Sequence, residues 1–323
     1  MDGSEKLHWS PCVRWRIEGD ALLVENFIYK NDVYSLFPKF YFVTSQGALY
    51  DDMRDHFKEF NPRILQSFVK DLARKKVLVK SIVSPKELFY SQKDLFNNDY
   101  PESIIYVTEE LEAFKKKQAG RVVFKGARGI ALDDDIGESV ITTRKTHRVF
   151  DTKKKINFRS FSNAIGVFKS GTDRENGRYY ASAGGLYPID IYAYIKKDRV
   201  ENVPKGLYYY NPIGNVMELV DERAEFTRET HYLTNKEIFD TSAATVFFIY
   251  NCECNMPKYG GMGYFYAILD AGIMVQTLTL ACESENISVC SIGDMLFDSV
   301  KDKFRLSPNQ THLHAMELGY PKI

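Results

Sequence analysis

The sequence predicts an α+β fold, and three features carry the prediction. Residues 243–250 form a near-continuous apolar run rich in β-branched and aromatic side chains, the pattern of a central strand buried on both faces. Residues 264–285 read as one long helix, apolar nearly all round, with Ala267, Ala271 and Gly272 as a small-residue patch; such a helix has to be buried, plausibly against a partner subunit. Further strands at residues 189–195 and 313–318 precede and follow this pair, so strands lie before, between and after helices.

Composition sets the outer limits. A chain of 323 residues can bury a large core as two domains or one large one. With 44% hydrophobic and 27% charged residues, it belongs to neither the disordered nor the membrane class. Lys plus Arg and Asp plus Glu both total 43, so the summed charge offers no attraction to nucleic acid or anionic lipid. Residues 1–12 lack the apolar core of a signal peptide and residues 243–250 are too few to span a bilayer; the expected location is the cytoplasm, without membrane association. Five cysteines, an odd number without framework spacing, fit reduced thiols. Cys252 and Cys254 would point the same way on a strand, but no second Cys or His pair stands at ligand spacing and no metal is expected.

The elements follow in order. Residues 13–17 and 21–27 are strands around the turn Glu18-Gly19-Asp20, and Asn61-Pro62 opens a helix whose stripe is Ile64, Leu65, Phe68, Val69 and Leu72. A strand at 77–83 follows, and the order of elements in residues 1–90 resembles a winged-helix unit, read as a docking module. Lys70, Arg74, Lys75 and Lys76 raise a DNA-binding alternative, but Asp71 interrupts the patch and helix-dipole compensation accounts for a basic helix end. Residues 91–140 are polar and irregular, with Asn97, Asn98, Asp99 and Pro101, a helix at 109–118 and the acidic run 133–135; they form the linker. Residues 141–323 are the main domain, which includes a hairpin over 206–220 with turn residues 211–215.

Within that domain lie four motifs that could carry chemistry, each with an ordinary explanation when taken alone. Arg144, Lys145, Thr146 and Arg148 form a dense cationic segment suited to gripping phosphate, or a solvated basic stretch. Ser182, Ala183, Gly184 and Gly185 enter a strand through Leu186-Tyr187-Pro188; small residues there let a flat ligand approach the backbone, or simply make a turn. Lys258 and Tyr259 lie between the buried strand and the buried helix, where burial would lower a lysine pKa and suit acid–base work; a loop lysine beside a packing tyrosine is the plain alternative. Ser291, Ile292 and Gly293 follow the long helix, and Gly293 would admit a ring closely.

In this order the motifs resemble the nitroreductase superfamily, and within it the SagB-type dehydrogenases of thiazole/oxazole-modified peptide clusters, the streptolysin S type. The resemblance covers roughly residues 125–323 and is carried by Ser182-Ala183-Gly184-Gly185-Leu186-Tyr187-Pro188, by Gly206-Leu207-Tyr208-Tyr209-Tyr210-Asn211-Pro212 and by Lys258-Tyr259-Gly260. It implies a dimeric FMN domain with a central, mainly antiparallel sheet flanked by helices. Arg144, Lys145, Thr146 and Arg148 would hold the FMN phosphate and ribityl chain. Ser182, Ala183, Gly184 and Gly185 would pack on the isoalloxazine, often across the dimer, and Ser291, Ile292 and Gly293 would run beside its reactive nitrogen. Lys258 and Tyr259 match the pair on which azoline oxidation in the family is thought to depend. Met262 and Phe265 stand where relatives often carry arginines and Ile273 where a histidine is common; the basic tail of many relatives is expected to be missing unless Lys322 replaces it.

The implied activity is oxidation of thiazolines or oxazolines in a precursor peptide to thiazoles or oxazoles, with hydride passing to FMN, electrons then to dioxygen, and a proton to Lys258 or Tyr259. The implied partners are that peptide, the cyclodehydratase subunits of the same synthetase and a second copy of the chain; nucleic acid is not expected. Two alternatives stand beside it: an NAD(P)H-dependent nitro or quinone reductase, and a flavin-sensing DNA-binding regulator.

Overall fold

The structure is a computed structural model that describes residues 5–30, 32–89, 92, 101, 103–124, 126–127, 129–132, 137–171, 177–233 and 235–322. Asn97, Asn98, Asp99 and the acidic run 133–135 lie outside the described residues. Met1–Leu88 and Glu138–Ile323 form one contact unit and Phe89–Gly137 a second.

The first unit begins with a module built on two small sheets and three helices. β1 (His8–Trp9) pairs antiparallel with β5 (Leu78–Val79), while β2 (Trp15–Glu18), β3 (Ala21–Val24) and β4 (Phe27–Lys30) form a meander. The expected strand over 21–27 is thus two strands, because Glu25 takes a left-handed turn at φ 50°. The expected strand over 77–83 is only two residues long; after Val79 the chain leaves the ladder and Ile82 N donates to Pro308 O at 3.2 Å. α1 (Asp32–Ser45), α2 (Tyr50–His56) and α3 (Pro62–Arg74) cover these sheets. In α3, Asn61 caps the helix by accepting from Arg63 N, and Leu65, Phe68, Val69 and Leu72 are buried at the predicted spacing. The basic end of α3 is largely neutralised: Asp71 holds Arg74 at 2.5 Å and Lys75 at 2.6 Å, and Lys76 pairs with Glu87 at 3.0 Å and Asp298 at 2.5 Å. α4 (Pro85–Phe89) closes the module.

In the second unit, α5 (Ser103–Tyr106) precedes α6 (Thr108–Ala119), the helix expected at 109–118. Acids in its first turn and lysines in its last complement the helix dipole.

The rest of the first unit is built on a six-stranded antiparallel sheet. After α7 (Val140–Thr143) and α8 (Phe158–Ile165) come β6 (Ile189–Ile195), β7 (Gly206–Asn211), β8 (Val216–Asp221), α9 (Asn235–Thr241), β9 (Ala244–Asn251), α10 (Met256–Tyr259), α11 (Met262–Ser284), β10 (Ser288–Ile292) and β11 (Gln310–Gly319). The strand order is β10-β11-β9-β6-β7-β8. β9 is interior and buried along nearly its whole length, as its unbroken apolar run requires. On one face Ile191, Val246 and Phe248 pack against Ala271, Met274 and Leu278 of α11. On the other, Tyr194, Phe247 and Ile249 pack with Phe226, Phe297 and Phe304.

α11 is long and apolar enough to cross a membrane by composition, but in this fold it is the helix that covers the sheet. Its own chain does not cover it all round: Met262, Phe265, Leu269 and Ile273 form an exposed stripe. Cys252 and Cys254 lie on a 3-10 turn, so the strand alternation assumed for them does not apply.

Candidate active site

Antiparallel pairing brings two of the four motifs to one end of the sheet. Ile189 opposes Tyr250 and Asn251 opposes Gln310, so β6 starts where β9 ends. β10 is antiparallel to β11 as β9 is and runs toward that end, but its last residue, Ile292, stands level with Phe247 in the middle of β9. Residues 182–188 and 252–259 are therefore gathered there, although about 70 residues separate them.

The closest approach is between Gly184 and the Lys258–Tyr259 pair. A Cβ built on Gly184 would overlap the Tyr259 hydroxyl and stand 2.9 Å from Lys258 Nζ. Gly184 is also left-handed, at φ 64°, and so is Gly185 at 67°, a backbone that admits glycine without strain. Lys258 and Tyr259 end the short helix α10, which Gly260 stops at φ 56°. Lys258 is exposed and Tyr259 half-buried, so the expected burial of the lysine is not supplied by its own protomer. Tyr266 packs edge-on against Tyr259, with ring centroids 5.0 Å apart.

The residue that holds this loop was not singled out from sequence. Asp270 of α11, 3% exposed, accepts from Ser182 Oγ at 2.6 Å and from Ala183 N at 3.1 Å. Ser182 Oγ in turn accepts from Tyr187 N at 2.9 Å. A buried carboxylate thus fixes the start of the small-residue segment, and Ser182 ties that start to Tyr187. One signal was present: Asp270 is the sole charged residue between Met262 and Ala281. Arg178 braces the same loop, stacking on the Tyr187 ring at 4.5 Å and donating to Tyr180 Oη at 2.9 Å. Burial pushes the Tyr180 hydroxyl up to about 12, so it remains a neutral acceptor for that guanidinium at physiological pH.

The cationic motif is grouped with the β10 segment. Thr146 bridges Val289 in parallel register and His147 N donates to Val289 O at 3.2 Å. Among the described residues, Arg144, Lys145 and Arg148 form no ion pair, and Arg144 reaches only Thr146 Oγ1, at 3.4 Å. Cations left unneutralised along a strand edge fit an anionic group such as a phosphate. Gly293 has no atom within 4 Å of a would-be Cβ, leaving open space after Ile292. The protomer's contacts therefore define two groupings: Arg144–Arg148 with β10, and Ser182–Gly185 with Lys258 and Tyr259.

The site thus consists of an antiparallel sheet under one long helix, a glycine loop pinned beside a Lys–Tyr pair, and a cationic segment without ion pairs among the described residues. The chain belongs to the Nitroreductase family, which it matches over residues 141–320. It is 25% identical over 171 residues to MJ1384 of Methanocaldococcus jannaschii, named as a candidate nitroreductase; the match spans 52% of this chain and 84% of that protein. Its fold is similar to a chain of the Escherichia coli microcin synthetase McbBCD complex with truncated pro-MccB17 bound, with TM-score 0.54 and 20% identity, covering 85% of this chain and 99% of that one. A nitroreductase-family protein of Ralstonia eutropha superposes less closely, with TM-score 0.49 and 19% identity over 60% of this chain and 88% of its own. The McbBCD match is too long for the family segment alone, so likeness of fold extends into the amino-terminal part.

Proposed function

We propose that this oxidoreductase is an FMN-dependent azoline dehydrogenase that converts thiazolines or oxazolines of a ribosomally made peptide to thiazoles or oxazoles in the cytoplasm. The observation that carries the reading is the apposition of Lys258 and Tyr259 against Gly184, which puts two proton-transfer groups beside the loop suited to a flat ring. Arg144, Lys145, Thr146 and Arg148 would hold the phosphate and ribityl chain; Ser182, Ala183, Gly184 and Gly185 would lie along the ring face, with Ser291, Ile292 and Gly293 beside its edge. FMN, when bound, supplies the acceptor for the hydride and hands the electron pair on to dioxygen. The proton lost from the azoline carbon goes to Lys258 or Tyr259, the other orienting it. Aromatisation thus removes one hydride and one proton.

The exposed stripe Met262, Phe265, Leu269 and Ile273 is read as the face on which two copies pair. Pairing would join the cationic grouping of one protomer to the glycine loop of the other, and would enclose Lys258. A cyclodehydratase is the natural partner, since it makes the azoline; the McbBCD structure is a synthetase complex with a bound pro-peptide, which supports this assignment. The name of MJ1384 favours a second reading, reduction of nitro compounds by NAD(P)H. Anaerobic mixing of the yellow protein with azoline peptide tests the first: bleaching, then recolouring in air, is expected. Steady NADPH consumption with nitro acceptors and no bleaching by the peptide would replace it with the second. A Lys258→Ala protein that retains flavin and bleaches at the normal rate would remove Lys258 from the mechanism.

A further inference from the structure

The apolar layer on the face of the sheet opposite α11 encloses a polar cluster that the candidate active site does not use. The side chains of His231, which follows the 3-10 turn Arg228–Thr230, and Glu317 of β11 have no exposed surface. His231 Nε2 stands 3.1 Å from Glu317 Oε1, in ion-pair range though off the line of a straight hydrogen bond. The carboxylate also accepts from Thr245 Oγ1 of β9 at 2.8 Å and from Ser242 Oγ, and Lys196 Nζ donates to the same serine at 2.8 Å. The ring is oriented from its other side: Thr230 Oγ1 donates its single proton to Thr227 O at 2.8 Å, so toward His231 Nδ1, also at 2.8 Å, it is the acceptor. Nε2 is thereby left to face Glu317, which stands mid-sheet, level with Thr245 on one side and Cys290 on the other.

Residues 230 and 231 also hold the chain that leaves β10. Ile292 pairs with Ala315 of β11, and the next anchor comes three residues later, where Met295 bridges His231 and Leu296 N donates to Thr230 O at 2.8 Å. Gly293 and Asp294 alone lie between the two anchors, and so short a span follows its ends. A buried ion pair adds little net stability over apolar residues of equal volume; what this one supplies is a fixed direction, from the middle of the sheet to the turn that carries the second anchor.

We propose that His231 and Glu317 are positioning residues for the oxidoreductase reaction, holding Gly293 where it flanks the flavin. The inference rests on the reading of Ser291, Ile292 and Gly293 as the segment beside the ring, and is independent of which donor reduces that ring. The pair acts on the rate of flavin reduction rather than on the affinity for flavin or substrate, because both side chains are enclosed and touch neither.

The test reduces the full-length holoenzyme anaerobically in single turnovers, with azoline peptide and separately with NADPH, and measures flavin affinity for each variant. His231→Phe keeps a ring and removes both nitrogens; reduction is expected to slow at least about tenfold, since a displacement of about 1 Å costs up to ~100-fold, with flavin Kd and the half-saturating donor concentration within about twofold of the unaltered enzyme. His231→Gln, whose amide can still donate to Glu317, is expected to recover most of the rate. Leu296→Pro leaves the buried charges untouched and deletes the N–H given to Thr230, at a residue whose φ of −82° is near that of proline. It is expected to slow reduction as well, and the variant combining it with His231→Phe to be about as slow as the slower single one, because both release the same loop. Hydrogen exchange gives a readout free of catalysis: amides 293–296 are expected to exchange faster in His231→Phe. Unaltered reduction in both single variants, equal slowing by Phe and Gln at 231, or a loss confined to KM or flavin affinity overturns the proposal. Reduction of the unaltered enzyme by NADPH and not by the peptide overturns the azoline reading instead, and the same variants then test the positioning role with NADPH.

Discussion

Replacing Asp270 by alanine probes the carboxylate that ties the glycine loop to the long helix. Asp270 accepts from two donors, Ser182 Oγ at 2.6 Å and Ala183 N at 3.1 Å, and is almost wholly buried. Hydrogen bonds to a charged acceptor contribute ~1.5–3 kcal/mol each, which sets a ceiling near ~6 kcal/mol. Release of the carboxylate's desolvation cost offsets part of this, leaving an expected net loss of ~2–4 kcal/mol. The loss is local, because the sheet and the opposite core remain; the loop at residues 182–187 loosens. Amide exchange at Ala183 and Tyr187 should accelerate, and flavin affinity should fall at least about tenfold because the loop must then be ordered on binding. Asp270→Asn, which keeps one acceptor oxygen, should fall between. Native exchange rates and native flavin affinity in the alanine variant would refute the argument that this carboxylate positions the loop.

Three other outcomes are expected. Gly184→Ala puts a methyl into the space of the Tyr259 hydroxyl at a left-handed position, costing ~1–2 kcal/mol in backbone strain alone; turnover should fall at least about tenfold with flavin retained, and an unchanged kcat would show the apposition to be idle. Leu269→Glu places a charge in the exposed stripe of α11 and should turn a dimer into a monomer by sedimentation; an unaffected dimer would mean that pairing uses another face. Burial, with His314 nearby, lowers His312 to about 3, so its proton is excluded from the folded state and stability is lost as pH falls from about 6.5 toward 3. A tenfold change in proton affinity corresponds to ~1.4 kcal/mol, so His312→Phe should flatten the pH dependence of urea unfolding between about pH 4 and 6.5 by ~1–3 kcal/mol. Parallel curves for the two proteins would contradict the sign.

Local chemistry made several elements legible. Asn61-Pro62 announced α3 because a cap and a preset φ act within one turn, and residues 243–250 announced β9 because an unbroken apolar run has to be enclosed on both sides. Residues 77–83 misled for the same reason: strand propensity reports a preference for extended backbone, while the ladder depends on what lies alongside, and only β1 does, at two residues. α11 was legible as a long apolar helix, but hydrophobicity on every face does not reveal which face its own chain covers.

The central strand at 243–250, the long helix, the order of the four motifs and the residue types able to grip a phosphate or move a proton could be read from the chain, because each is written in neighbouring residues or in a short period. That Gly184 meets Lys258 and Tyr259, and that Asp270 holds Ser182 across 88 positions, became visible in the folded chain alone. Those facts depend on strand order and register, which arise when distant segments pack and which no local pattern encodes.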